Sequence, residues 1–198
     1  FLAPGRVPAL YSLNTLGAVA ERTGNYADAL RHFTAALEAA EANGSASLQA
    51  DFLTNVALGE TALGDYGEAQ EHLERALGLY HRTGYQVGKV GGRMVQGELA
   101  LATGRLEAAR AALEECLAQA QALSVLRCVP RVLAGLAEVA LARGDLEAAL
   151  RLGERARAKA RAEGDPSSEV AALNLLGRSS AASGQDEQAR AFFAQGLR

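Results

Sequence analysis

Five glycines recur in this chain at a constant interval of 40 residues. An alanine follows each of them after five residues, and a residue no larger than alanine precedes each by seven. A strict period in this range is typical of a solenoid, in which each repeat buries its apolar face against its neighbours. The period therefore predicts a repeat array, a class of protein that binds partners along an extended surface. The glycines are Gly24, Gly64, Gly104, Gly144 and Gly184.

Each repeat contains two amphipathic segments, one on either side of its turn glycine. In the first copy, Leu13, Leu16 and Ala20 are spaced by three and four residues, which places one apolar stripe along a helix. We call this segment helix A and the amphipathic segment after the glycine helix B. The glycine can adopt a positive φ and so end helix A, and the small residues let the two helices approach closely. The helix B pattern of the first copy is Tyr26, Ala29, Leu30, Phe33, Ala36 and Leu37.

The ends of helix B set the repeat boundaries. Three copies have a second glycine there, Gly44, Gly84 and Gly164, and the third copy has Ser124. The sequence therefore predicts an all-α fold with a single domain over residues 1–198, built of antiparallel helix pairs. The five repeats span approximately residues 10–45, 46–85, 86–125, 126–165 and 166–198, the last being shorter.

Two copies depart from the pattern. Gly88, Gly91 and Gly92 precede helix A of the third copy, and glycine costs about 1 kcal/mol at an interior helix position. We therefore expect that helix to begin late or to bend. In the fourth copy, Gly153 and Arg157 replace larger apolar residues of helix B. This predicts looser packing, a hinge, or a gap that a partner side chain fills.

The fifth helix B has few residues after its last leucine. We expect an uncovered apolar seam around Phe192, Phe193 and Leu197, because solenoids need polar capping elements at their ends. An uncovered apolar end tends to find a partner. The expectation is that the parent protein continues with further helices, and that this segment self-associates through its C-terminal end or frays there.

The repeat resembles the tetratricopeptide repeat (TPR) family over roughly residues 10–198. The resemblance implies a right-handed α-solenoid whose ligand surface is the concave face, formed mainly by helix A. The repeats are longer than the common unit of about 34 residues, as in TPR arrays of bacterial signalling proteins. HEAT repeats share this length, but the turn glycine and the paired small residues favour TPR. The residues of copy one that match are Leu13, Leu16, Gly17, Ala20, Gly24, Tyr26, Ala29, Phe33, Ala36 and Leu37.

The sequence offers no motif for catalysis, a cofactor or a metal. It has no HExxH, no cysteine pair at zinc spacing and no nucleophile elbow. The glycine-rich segment 84–92 lacks the Gly-Lys-Ser/Thr ending of a Walker phosphate-binding loop. We expect His32, His72 and His81 to lie on helix B, with His32 and His72 pointing outward. A net charge of −3 gives no case for nucleic acid, and no apolar run approaches the length of a membrane span. We expect a non-enzyme without cofactors.

The concave face is the predicted binding surface. Asparagine amides there can hold a peptide backbone through paired hydrogen bonds, and leucines with a methionine form an apolar floor. The alternative that the leucines only pack against neighbouring A helices stays open. The predicted peptide-binding residues are Asn14, Asn55, Leu58, Met94, Glu98, Leu101, Glu138, Asn174 and Arg178.

The function that this pattern favours is a non-catalytic scaffold, a protein–protein interaction or regulatory module that binds a peptide or protein segment. The alternative is the sensory arm of a larger bacterial regulator, a transcription activator or cyclic-dinucleotide enzyme, that binds a small molecule or signalling peptide. A third interpretation is a structural self-assembly domain. The expected partners are proteins or peptides, without nucleic acid or membrane, in a bacterial cytoplasm.

Overall fold

The computed structural model describes residues 6–197, with side chains from Leu10 onward. This part of the chain is helical throughout and contains no strand, which confirms the predicted all-α fold of successive helix pairs. A 3-10 turn, Leu126–Cys128, precedes α7. The helices are α1 (Arg6–Arg22), α2 (Tyr26–Asn43), α3 (Ala46–Leu63), α4 (Tyr66–Thr83), α5 (Gln86–Ala102), α6 (Leu106–Ala122), α7 (Val129–Ala142), α8 (Leu146–Glu163), α9 (Pro166–Ala182) and α10 (Asp186–Gly196).

The chain divides into two compact units, Phe1–Leu99 and Ala100–Arg198. In the first unit α1 packs on α2, α2 on α3 and α3 on α4. Its core includes Phe33, Leu53 and Tyr80, all nearly inaccessible to solvent. In the second unit the packing continues in the same order from α6 to α10, and α7 also contacts α9. Odd-numbered helices are the predicted A helices and even-numbered helices the predicted B helices.

The backbone at the helix ends is the one that the sequence predicts. All five turn glycines have a positive φ, for example 92° at Gly64. At that turn Asp65 N donates to Glu60 O over 2.9 Å, which satisfies a carbonyl that would otherwise lack a partner at the helix end. Among the described residues other than glycine, Ser124 alone has a positive φ, 57°, at the place where the other B helices end in glycine.

The small residues allow close approach within each hairpin, as predicted. Ala29 and Ala109 in the first turns of B helices have no accessible surface. A Cβ at Gly17 would overlap the ring of Phe33, and one at Gly177 would lie 2.5 Å from Phe193 Cε1. Aromatic rings of helix B therefore occupy the space that these glycines leave in helix A.

Two expectations for the irregular copies were wrong, the late start of α5 and the gap for a partner side chain in the fourth copy. α5 begins at Gln86 and runs through Gly88 without a delayed start. The gap at Gly153 is filled from within, because a Cβ there would lie 2.9 Å from Leu176 Cδ2. Arg157 is only 15% exposed in its side chain and donates from Nη2 to Gln195 Oε1 over 2.6 Å. Neither site is a gap for a partner.

The C-terminal helix differs in part from expectation. α10 has 11 residues, compared with 18 in α8. Phe192 is 6% exposed and packs in a cluster with Leu173 and Leu176, so its predicted exposure was wrong. Phe193 is 37% exposed and Leu197 is 89% exposed. Self-association through this end stays a prediction.

Candidate functional site

The predicted binding residues all lie on A helices, and we call the surface that these helices present the A face. In the first unit the A face is formed by α1, α3 and α5, and in the second unit by α7 and α9. The A helices are held in this order by packing on B helices through their apolar stripes: α3 lies between α2 and α4, α7 between α6 and α8, and α9 between α8 and α10. The polar positions between the stripes then remain at the surface.

Two asparagines of neighbouring A helices meet in the first unit. Asn55 Nδ2 in α3 donates to Asn14 Oδ1 in α1 over 2.7 Å. Both side chains are half-buried. This bond uses one donor of Asn55 and the carbonyl of Asn14. Among the described residues, no hydrogen bond is made by the Asn14 amide nitrogen or the Asn55 amide oxygen, so the pair presents one donor group and one acceptor side by side.

The apolar floor that the sequence predicts is only partly present. Leu58 is 9% exposed and packs with Leu73, Val95 and Leu99 in the core of the first unit. It is therefore not available to a ligand, and the alternative of packing between helices is correct for this residue. Met94 in α5 is half-buried, with part of its side chain at the surface. Leu101, at the end of α5, is half-buried in the second unit.

A buried polar cluster in the first unit was missed by sequence reasoning. Tyr80 Oη donates to Asp51 Oδ1 over 2.9 Å and lies 3.0 Å from Thr54 Oγ1. Burial raises the pKa of the Asp51 carboxyl, and the bond from Tyr80 lowers it in part. Burial, and then the charge of Asp51, raise the pKa of the Tyr80 hydroxyl.

One signal could have located this cluster. Tyr80 stands at the helix B position that carries alanine in three other copies, at residues 40, 120 and 160. The next helix supplies Gly88 and Gly92, and a Cβ at either would come within 3.3 Å of the Tyr80 ring. When a large residue stands where other copies have alanine, and extra glycines follow in the next helix, the pattern indicates that the glycines make room for the large side chain.

An ion pair connects neighbouring A helices in the second unit. Arg178 Nη1 in α9 donates to Glu138 Oε1 in α7 over 2.6 Å. The two residues occupy the same position in successive repeats. Arg178 and Asn174 are exposed, and Glu138 is half-buried. Glu98, at the same repeat position in α5, is half-buried in the first unit.

His72 does not point outward, contrary to expectation. Its Nδ1 lies 2.8 Å from Glu60 Oε2 in α3, and Glu60 is 7% exposed. Burial raises the pKa of the Glu60 carboxyl, and the contact with His72 lowers it in part. Within residues 6–197, no three His, Cys, Asp or Glu side chains are grouped so that they could hold a metal. In the same part of the chain, every helix is too short or too polar to cross a bilayer.

Comparison with known families matches this chain to a model described as tetratricopeptide repeat over residues 8–84. A second model of the same description matches residues 57–124 and 94–166. No curated protein sequence matches the chain.

Solved structures with the same fold include two Rap proteins. One is complexed with Competence and Sporulation Factor, at 18% identity and a TM-score of 0.84, covering 96% of this chain and 53% of that one. The other is the Rap conjugation gene regulator of the plasmid pLS20 in complex with the Phr* peptide, at 19% identity and a TM-score of 0.81, covering 95% and 52%. BtubC (BKLC) from P. vanneervenii has 21% identity and a TM-score of 0.69, covering 95% and 78%. The chain spans about half the length of both Rap structures.

Proposed function

Because the chain belongs to the tetratricopeptide-repeat family, we propose that it is a non-catalytic interaction module that holds an extended peptide segment on its A face. The repeats and the Rap-like fold support a protein-interaction scaffold. The binding residues proposed in the first unit are Asn14, Asn55, Met94 and Glu98. Those proposed in the second unit are Leu101, Glu138, Asn174 and Arg178.

The asparagine pair is the observation that carries this proposal. A peptide group in extended conformation offers one N–H and one C=O, and a side-chain amide can bond both. Asn14 and Asn55 orient each other through their 2.7 Å bond, so little side-chain entropy is lost when a ligand arrives. Such contacts read the backbone of a ligand, while Met94 supplies an adaptable apolar surface for its side chains.

The Rap structures support a more specific version, in which the ligand is a signalling peptide and this chain is the sensory arm of a larger bacterial regulator. One of them is described in complex with the Phr* peptide. The two versions differ in the ligand: a scaffold holds a segment of a folded partner, and a sensory arm holds a short free peptide.

A selection from a displayed library of random ten-residue peptides tests the proposal. We expect the wild-type chain to enrich peptides whose binding falls at least tenfold in Asn55→Ala and in Met94→Ala, by fluorescence anisotropy of the labelled peptide. His72 is unsuitable as a control because it contacts buried Glu60. Glu71→Ala, at an exposed position of helix α4, is the matched control and should bind as the wild type does.

Thermal unfolding of each variant shows whether the fold is retained. Asn55→Asp serves as a second variant at this position, because its side chain has nearly the same size as that of asparagine. Peptides that bind Asn55→Ala and Met94→Ala as tightly as the wild type would overturn the A-face site. Enrichment of no peptide at all would overturn peptide binding as the function.

A further inference from the structure

The second unit contains a cavity of about 520 Å³ between two of its B helices and over α7, and none of the residues proposed for the A-face site lines it. Helices α6 and α8 both pack on α7, and the space between them is left open. Its apolar floor is formed by Leu117 of α6 and Leu152 of α8, which are half-buried, and Leu136 and Val139 of α7 are buried beneath them. We call it the α6–α8 cavity.

Four arginines line the α6–α8 cavity, from three different helices or their ends. Arg110 is on α6, Arg143 follows the last residue of α7, and Arg151 and Arg155 are on α8. The last two are four residues apart and so share one face of their helix. The cavity therefore combines an apolar floor with guanidinium groups on both sides.

Two of these arginines are neutralised and two are not. Arg110 Nε lies 2.8 Å from Glu114 Oε1, and Arg143 Nη1 lies 2.8 Å from Glu107 Oε1. Arg151 and Arg155 are exposed and form no ion pair with any residue in the described part of the chain. The carboxylate of Asp145 at the cavity edge accepts from Ala148 N, 3.0 Å away, and caps α8. Two like charges four residues apart, such as Arg151 and Arg155, disfavour the helix.

The equivalent groove of the first unit, 80 residues earlier, is filled by its own side chains. Leu30 takes the position of Arg110 and packs on α3, where a Cβ at Gly59 would lie 3.3 Å from Leu30 Cβ. His72 reaches across to Glu60 over 2.8 Å. Glu71 takes the position of Arg151. The position of Arg151 therefore tolerates opposite charge, which shows that this arginine is not needed for helix packing, whereas the position of Arg155 also carries an arginine, Arg75, in the first unit.

The groove between α8 and α10, 40 residues later, is also closed. Phe192 takes the position of Leu152 and is 6% exposed. Arg157 and Gln195 form a 2.6 Å hydrogen bond from α8 to α10. The α6–α8 cavity is open where the side chains compared above close the other two grooves, and it carries unneutralised arginines. A second cavity of about 520 Å³ in the first unit lies further along α4 and includes Arg75, which is paired with Glu41.

We propose that the α6–α8 cavity binds an acidic peptide segment of a partner protein, with one apolar side chain on the floor of Leu117 and Leu152. Carboxylates flanking that side chain pair with Arg151 and Arg155. A partner of this chemistry fits better than nucleic acid, because the chain carries a net charge of −3 and its guanidinium groups here surround an apolar pocket. A phosphate backbone favours an extended basic surface instead. This site lies between α6 and α8 and shares no residue with the proposed A-face site.

Subtractive selection tests the proposal with the full chain. A displayed library of random ten-residue peptides is selected on the wild type after depletion on the double variant Arg151→Glu/Arg155→Glu. We expect the enriched peptides to carry two or more Asp or Glu beside one large apolar residue. Their affinity, measured by fluorescence anisotropy, should fall at least tenfold in the double variant and weaken as NaCl rises.

The double variant Lys159→Glu/Arg190→Glu is the matched control. It changes the net charge by the same amount at exposed positions of α8 and α10 that lie outside the cavity, and it should bind within twofold of the wild type. Equal loss in both double variants, enrichment of peptides without acidic residues, or no enrichment would overturn the proposal. Displacement of the peptide by a short DNA duplex or by inorganic phosphate at similar concentration would also overturn it, in favour of a general anion site. Asn55→Ala should leave these peptides bound, which separates this result from the A-face test.

Discussion

Gly88 of α5 lies directly against the ring of Tyr80 of α4, so that a Cβ at position 88 would stand 2.8 Å from Tyr80 Cδ1. The ring cannot move aside easily, because its hydroxyl bonds both Asp51 and Thr54. The glycine, which is unfavourable in a helix by itself, is therefore required by the large residue on the preceding helix.

Gly88→Ala should destabilise the fold by about 1–3 kcal/mol, the usual range for overpacking a core. Gly91→Ala, in the same helix, is the control: an added Cβ there meets nothing within 4 Å. It should stabilise by about 0.5–1 kcal/mol, because alanine favours helix over glycine. Urea unfolding measures both, and equal effects would show that the Tyr80 contact does not constrain α5.

Ala109→Leu should lower the free energy of unfolding by about 1–3 kcal/mol. Ala109 has no accessible surface, so a larger side chain must push the hairpin apart. Ala111→Leu on the same helix is the matched control, since Ala111 is exposed. Thermal unfolding of the two variants measures the difference. Equal melting midpoints would mean that α6 packs through a different face from the one described.

Asp51→Asn should stabilise the protein more at pH 7 than at pH 3.5. Burial raises the pKa of Asp51 above its ordinary 3.8, so the folded state holds this proton more tightly than the unfolded state. The free energy of unfolding therefore falls as pH rises from 3.8 through the raised value. Asparagine removes the buried charge and can still accept from Tyr80.

Urea unfolding of the wild type and of Asp51→Asn at both pH values gives the difference. Asp65→Asn is the control, because Asp65 is exposed at the start of α4 and makes no side-chain cap bond. A stability difference for Asp51→Asn that is the same at pH 3.5 and pH 7 would contradict the expected burial effect.

Cys128 should react with iodoacetamide faster than an ordinary thiol at pH 7.5. A hydrogen bond from Cys116 lowers the pKa of the Cys128 thiol, although burial opposes this. Cys116→Ala removes the donor, so we expect alkylation to slow several-fold, as followed by mass spectrometry. The variant Cys128→Ser measures any reaction of buried Cys116. An unchanged rate in Cys116→Ala would show that this bond does not activate Cys128.

Much of the fold could be predicted from the sequence because its signals are local. The positive φ at Gly64 or Gly144 depends only on the residue at that position, and a glycine recurs there in every repeat. The site was less predictable. Leu58 is apolar, as a residue of a ligand-binding floor would be, but it is buried because Leu73 and Val95 of other helices pack against it.

Local sequence patterns were enough to predict where the hairpin turns lie, which small residues allow close helix contact, and the family to which the chain belongs. Tertiary structure decided which polar side chains meet: Asn14 with Asn55, Glu138 with Arg178, and His72 with Glu60. It also decided which grooves between B helices are filled. The physical reason is that backbone preferences act within a few residues, whereas a side chain's partner depends on the size and charge of residues on a neighbouring helix, often 40 positions away.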